Sequence, residues 1–433
     1  MQSTSPLVFL GLDGLPWSLA RELSVQGLLP NLTRVMDTSG PIRAELPELS
    51  PVNWTSLFTA SPPGVHGVYG FTRMDPQTYR LSFTDFTHVH GPTIFEILGQ
   101  AGFFSRAVNM PLLAPVRPCR AMLVAGFPAG GLEGSTHPPV LGGMLEDLGY
   151  RVDADTVHGA TDPAFLLDEL HRTLRGRKKA LDLLWPDMSW DLFMLVLTET
   201  DRLGHFLFPA LREEHHPWRG PCLEFMAAWD EVIGALLDRY HDLPDPKRLI
   251  MMADHGFTAL DQEVDLNAWL ARTGLLYTSR PPENEWDADC LDARTRAFAL
   301  DPGRIYLHTR DRFAKGRMSP DDARRLAAEL ETALRAITVD GRRVIREIHH
   351  GRELYMGPQA HLAPDLVLVP EPGFDLKGKF GRTAVTGHFG RQGMHTAHDV
   401  FHFDSAGAPA RTPTDVGRHI LEHFGLPRQA VPL

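Results

Sequence analysis

Three strand-length apolar runs, each ending in a carboxylate, constrain this chain more than any other feature. "LVFLGLDG" ends in Asp13, "LFMLVLTETDRLGH" carries Asp201 just past its apolar part, and "LIMMADHG" runs into Asp254 and His255. Unbroken apolar runs of this length suit strands buried on both faces, as in a parallel sheet covered by helices. "RAVN" (106–109), "AMLVAG" (121–126) and "DLVLVP" (365–370) extend the pattern. Helix-like pieces alternate with them, such as "FLLDELHRTLRGRKKALDLL" and "CLEFMAAWDEVIGALLDRY". The second of these sets Phe225, Ala228, Trp229, Val232 and Leu236 on one face at helical spacing. The fold class is therefore α/β, a mostly parallel sheet flanked by helices. Ligand sites in such sheets gather at the carboxyl edge of the strands.

From about 265 to 360 the texture changes. "SPDDARRLAAELETALRAI" reads as a helix with Ser319 as N-cap, Pro320 at the first helical position and acids in the first turn. It lies between the short strand candidates "RIYL" and "RRVIREI". This predicts an inserted α+β lobe over 265–360 and a core formed by 1–264 and 361–433, with the chain rejoining the main sheet at 365. Segments 127–160 and 206–222, with many Gly, Pro and His, read as loops.

With 433 residues, 43% of them hydrophobic, the chain can bury a large core. Its net charge of −11 and scattered basic residues argue against specific nucleic-acid binding. Cys119, Cys222 and Cys290 form no CxxC pair, which points to a reducing compartment without structural disulfides. "MQSTSPLVFLGLDGLPW" lacks the pattern of a signal peptide. No run reaches the ~18–20 apolar residues of a membrane helix. The expectation is a cytoplasmic protein without a membrane span.

A lone Asp before Gly is ordinarily a turn residue. Three carboxylates on one sheet edge, two with a nearby His, are another matter, because they repel unless cations neutralise them. His205 follows Asp201 by four residues, so a helix would turn both the same way. Asp254 and His255 can share an ion only at a strand end, where alternation breaks. Such mixed oxygen and nitrogen donors suit zinc or manganese better than calcium or magnesium. Spacing alone thus reaches a two-metal cluster. In "ELPELSPVNWTSLFTASPPGVHG" (45–67), Ser50 and Pro51 read as N-cap and first residue of a short helix. Capping alone would account for Ser50. Local sequence favours that reading, although a hydroxyl at a helix N-terminus beside a metal can also act as a nucleophile. Thr55 and Ser56, inside the helix, read as structural.

"GLDG", "LSPVNWTSLFTASPPGVHG", "TETDRLGHF", "ADHGF" and "GMHTAHDVF", in this order, resemble the alkaline phosphatase superfamily. Within it they look most like the type I phosphodiesterase/nucleotide pyrophosphatase branch and its bacterial predicted phosphohydrolase relatives. The resemblance implies a phosphoric ester hydrolase and makes Ser50 the nucleophile, ten residues before the Ala60 that closes the Thr59-Ala60 turn. It implies one divalent ion, zinc or manganese, on Asp13, Asp254 and His255, with Ser50 at its open position. A second would sit on Asp201, His205 and His395, with His388 and His398 as competitors of His395. The implied reaction cleaves phosphodiester or pyrophosphate bonds of a small-molecule phosphate ester through a phosphoserine. A phosphomonoesterase and a catalytically silent metal-binding homologue are the alternatives.

The chain also departs from the family pattern. Diesterase members usually carry Thr where Ser50 stands. Phe71 in "HGVYGF" occupies the place of a phosphate-holding Asn, leaving Asn53 and Asn109 as candidate substrate contacts. A sulfatase would need a Pro and an Arg that "SPVNW" does not place. A cofactor-independent phosphoglycerate mutase would carry its insertion just after the nucleophile helix, whereas here it follows Asp254.

Overall fold

The computed structural model describes residues 5–426 apart from Met188. Among the described residues there are two compact units: 5–62 with Asp85–Thr258 and 390–426, and Pro63–Thr84 with Ala259–Phe389.

The first unit is built on an eight-stranded sheet. Its five central strands are Arg248–Met252, Leu7–Leu12, Leu192–Leu197, Ser105–Met110 and Ala121–Ala125, in that order and all parallel. Antiparallel strands close the edges, Val400–Asp404 with Gly40–Ile42 on one side and Thr136–His137 on the other. Leu7–Leu12 and Leu192–Leu197 are buried at every residue. That is why their sequences do not alternate. The helix Pro163–Leu184 packs on Ser105–Met110 and Leu192–Leu197, while Pro413–His423 packs on the helix Ser50–Thr59. Register then decides chemistry. Leu12 lies opposite Leu197 and Gly11 opposite Met252, so the residues that follow each strand emerge at one edge. The Asp13 N–H extends the ladder to the Leu197 carbonyl at 2.9 Å.

Gly11 has a packing reason. A Cβ there would lie 2.5 Å from Cη2 of the buried Trp54, which rests on the strand. Gly11→Ala is expected to cost about 1–3 kcal/mol through overpacking. Thermal unfolding checks this; an unchanged midpoint would mean that Trp54 can move aside.

His402, on the edge strand Val400–Asp404, carries a second prediction. Burial holds its imidazole down at about 4, with Asp404 favouring the charged form and His419 and Arg248 opposing it. Above pH ~6.5 the folded and unfolded states are both neutral there. Below it the unfolded state takes up a proton that the folded state refuses until about pH 4, so stability falls as pH drops through that window. At pH 5 the loss is on the order of 2 kcal/mol. Denaturant titrations in chelator at pH 7.5 and 5 should show a smaller acid loss in His402→Phe than in the native chain. Equal losses would refute it.

The second unit is α+β. Ala297–Leu300, Arg304–Leu307, Leu366–Pro370 and Ile345–His350 form an antiparallel sheet in that order, with the helix Pro320–Arg335 against Ile345–His350. Ser319 caps that helix by accepting from the Asp322 N–H at 3.2 Å, with Pro320 in the first turn, as its sequence predicts. The lobe expected over 265–360 lies within this unit, which also takes 63–84 and continues to Phe389. The reading of 365–370 as a return to the main sheet is corrected. Leu366–Pro370 is buried throughout but pairs with Arg304–Leu307 and Ile345–His350. An apolar run signals burial, not which sheet supplies it. The main sheet is rejoined by Val400–Asp404 instead.

Two loop assignments are likewise corrected. Val140–Asp147 is helical, and 206–212 continues the helix Glu199–Arg212 across Pro209. Buried Leu203, Leu207 and Leu211 hold that helix despite a break in its dihedrals at Leu207. Among the described residues no helix is long and apolar enough to cross a membrane.

Candidate active site and metal centre

The carboxyl edge of the sheet gathers Asp13, Asp201, Asp254 and His255, all buried. Gly14 makes the close approach possible. Its φ is +67°, and a Cβ would meet Asp201 Cα at 3.0 Å. Asp201 and His205 share one face of the helix Glu199–Arg212, with His205 Nε2 at 3.4 Å from Asp201 Oδ1. His395 arrives on the strand Gly393–Thr396 and sets its Nε2 3.1 Å from Asp201 Oδ1 and 3.0 Å from His205 Nε2. Its ring stacks on His255 at 3.6 Å between centroids. Of its competitors, His388 is exposed in the second unit. His398 is half-buried, and its carbonyl accepts from the Thr396 hydroxyl.

Each carboxylate has one oxygen tied to a protein donor. Trp54 Nε1 donates to Asp13 Oδ2 at 3.3 Å, the Gly14 N–H to Asp254 Oδ1 at 3.1 Å, and Arg202 to Asp201 Oδ2. Asp13 Oδ1 and Asp254 Oδ2 have no hydrogen-bond partner, although buried. His255 Nε2 lies 3.7 Å from Asp13 Oδ1, 3.3 Å from Asp254 Oδ2 and 3.7 Å from Asp201 Oδ1. The three imidazoles repeat the pattern. Nδ1 of His255, His395 and His205 faces a backbone carbonyl, of Gly256, Glu48 and Gly393, at 3.0, 3.0 and 3.4 Å. A proton on Nδ1 leaves each Nε2 as a lone pair. Lone pairs of carboxylates and imidazoles thus converge with almost no donor among them. A buried array of acceptors is costly unless a cation fills it, so the residues present fit divalent ions. Asp13, Asp254 and His255 form one candidate metal-binding group; Asp201, His255 and His395 form another.

The electrostatics agree. Burial, with the negative charges of Asp254 and Asp201, pushes the Asp13 carboxyl well above its ordinary range. Burial and Asp201 push Asp254 up to about 6. Burial also opposes ionisation of Asp201, but its interactions with His205, Arg202 and His395 outweigh it and hold that carboxyl well below the ordinary range. Burial depresses His205, His255 and His395, which favours neutral, ligating rings.

Ser50 opens a ten-residue helix that is buried throughout and ends at Ala60 in the left-handed conformation. The capping role is corrected. The flanking residue is the extended Leu49, so Ser50 is already helical and its hydroxyl caps nothing. Its Oγ instead lies 3.2 Å from His255 Nε2. The candidate substrate contacts are placed differently from expectation. Asn53 is tied to backbone, accepting from the Glu45 N–H at 2.7 Å and donating to the Leu49 carbonyl at 3.1 Å. It braces the segment leading to Ser50. Asn109, at φ +62°, donates to the Val196 carbonyl at 2.9 Å and leaves only its Oδ1 unpaired, an acceptor unsuited to a phosphate oxygen. The site also contains residues that the sequence reading passed over: Trp54, Arg202 and Asp153. Arg202 adjoins Asp201 in the chain, which was a usable signal; Asp153 is 48 positions away from Asp201 and offered none.

The site is thus a cluster of carboxylates and histidines at the carboxyl edge of a mostly parallel sheet flanked by helices. The family model for type I phosphodiesterase/nucleotide pyrophosphatase matches residues 7–400. The chain belongs to that family and is a phosphoric ester hydrolase. Among solved structures, it is similar to phosphonoacetate hydrolase from Sinorhizobium meliloti 1021 bound to phosphonoformate, with a TM-score of 0.64 and 15% identity over 97% of this chain and 95% of the other. Another is murine ectonucleotide pyrophosphatase/phosphodiesterase 5, an inactive variant with AMP, with a TM-score of 0.57 and 13% identity over 99% and 96% of the two chains. No curated protein matches the chain significantly in sequence.

Proposed function

We propose that the chain hydrolyses phosphodiester or pyrophosphate bonds of small phosphate esters through a covalent phosphoserine on Ser50. The observation that carries this reading is the Ser50 hydroxyl, 3.2 Å from His255 Nε2 at the mouth of the acceptor array. Asp13, Asp254 and His255 would hold one divalent ion, and Asp201, His205 and His395 the other, with zinc favoured by the mixed oxygen and nitrogen donors and manganese the alternative. His255 Nε2 is nearest to Asp254 Oδ2, and with its Nδ1 facing the Gly256 carbonyl its single lone pair would serve one ion, which supports its place with Asp13 and Asp254. When bound, such ions supply charge stabilisation for an oxygen nucleophile and for the oxygens of an in-line displacement.

The protein's own groups do the rest. The N-terminus of the Ser50 helix favours an anion. Trp54 fixes the helix against Asp13. Ser50 Oγ gives up its proton and forms a bond to phosphorus as the bond to the leaving oxygen breaks, and that oxygen takes up a proton. Water then loses a proton and bonds to phosphorus as the phosphorus–Oγ bond breaks, and Ser50 Oγ takes a proton back. The test compares bis-p-nitrophenyl phosphate with p-nitrophenyl phosphate on protein reloaded with zinc or manganese. Faster diester cleavage is expected. A monoester preference would move the assignment to a phosphomonoesterase, with Ser50 in place of Thr as its signature. No turnover of either, with metal bound, would favour the catalytically silent homologue.

A further inference from the structure

The outer oxygens of the three carboxylates meet unlike donors. Those of Asp13 and Asp254 meet an indole N–H and a backbone N–H, both neutral. That of Asp201 meets the Arg202 guanidinium. Arg202 is nearly buried, its side chain 11% exposed, and is held from behind by Asp153, whose oxygens accept from Nε at 3.1 and 3.2 Å and from Nη2 at 2.9 Å. Phe127 covers the guanidinium face at 4.6 Å. The Asp153 segment is itself anchored. Buried Arg177 donates to the carbonyls of Arg151 and Val152 at 2.5 and 2.7 Å, and Glu169 pairs with Arg151 at 2.7 Å. The Asp153–Arg202–Asp201 chain is therefore preorganised, and of the three carboxylates it sets the fixed positive charge in direct contact with Asp201, while Asp13 feels it only at a distance.

We propose that Arg202, held by Asp153, is a positioning residue that makes the two cation places unequal, so that the ion at Asp201, His205 and His395 is released first. The inference rests on the two-metal reading above. Its physical content is a charge count. Asp13 and Asp254 present two negative charges to their ion, whereas Asp201 is offset by Arg202 and is joined otherwise by neutral imidazoles. Asp153 in turn weakens the field of Arg202.

Zinc-loaded protein, challenged with graded chelator while bound zinc is counted by mass spectrometry, tests this. One equivalent is expected to leave at lower chelator concentration than the other. Arg202→Met should raise the concentration needed for that first release about tenfold, and Asp153→Asn should lower it by a similar factor. Arg202→Lys, which keeps the charge, should stay near the native value. Simple loss of packing would loosen the metal in both Arg202→Met and Asp153→Asn, so the opposite signs are the signature. Should Arg202→Met fail to fold, Asp153→Asn and Arg202→Lys decide the matter: earlier release in the first and native release in the second support the proposal, and any other result overturns it. Two equal release steps in a protein that still cleaves the diester would sink this inference alone. A native protein that binds no zinc or manganese would sink the two-metal reading as well.

Discussion

Ser50→Ala is expected to lower turnover by at least about 10⁴-fold, the scale on which removal of a catalytic nucleophile acts, while two equivalents of metal stay bound. The reasoning is geometric. The Ser50 hydroxyl caps no helix and makes its contact with His255 Nε2 at 3.2 Å, so its loss removes the attacking oxygen and leaves every carboxylate and imidazole in place. Steady-state rates with the preferred p-nitrophenyl ester, and metal content by mass spectrometry, give both readings. A variant that keeps its rate would exclude Ser50 as nucleophile. A variant that loses rate and metal together would mean that Ser50 is needed mainly as a ligand.

The second large effect concerns the carboxylates. Asp13, Asp201 and Asp254 are buried together, and Asp13 Oδ1 and Asp254 Oδ2 find no donor. Without a cation this arrangement destabilises the fold, and a divalent ion at about 100 times its Kd should add about 2.7 kcal/mol. Asp254→Asn should therefore act in opposite directions in the two states. The metal-free variant should melt higher than metal-free native protein, because one buried like charge is gone. The metal-loaded variant should retain one equivalent fewer, show a smaller metal-induced rise in melting temperature and lose most activity. Calorimetry with and without chelator checks all of these. A lower melting temperature of the metal-free variant would show that the Asp254 carboxylate contributes through its bond from the Gly14 N–H more than it costs through repulsion.

Much of this site was legible along the chain, for identifiable reasons. Asp13, Asp201 and Asp254 could be singled out because each follows an apolar run that only a buried strand explains, and parallel strands share an edge. His205 followed from the four-residue spacing of a helix. His395 could not be chosen among 21 histidines by spacing, and came only with the ordered set of motifs. Ser50 was legible as a helix start but not as a free hydroxyl, since that depends on Leu49, not Ser50, being the extended residue. Asn53 and Asn109 had the right chemistry for phosphate contacts, but their amides bind backbone around them.

The sequence by itself determined the strands, the edge on which their acids emerge and the donor types that point to a divalent ion, because periodicity and side-chain chemistry are local properties. Tertiary structure alone decided what each atom faces. It assigned Leu366–Pro370 to the second unit's sheet, since burial can be supplied by either sheet. It turned the three Nδ1 atoms toward carbonyls of Gly256, Glu48 and Gly393, so that the Nε2 lone pairs converge. It also brought Asp153 to Arg202, a contact between residues 49 positions apart that no local pattern encodes. Such contacts depend on how elements pack, and packing is a property of the folded whole.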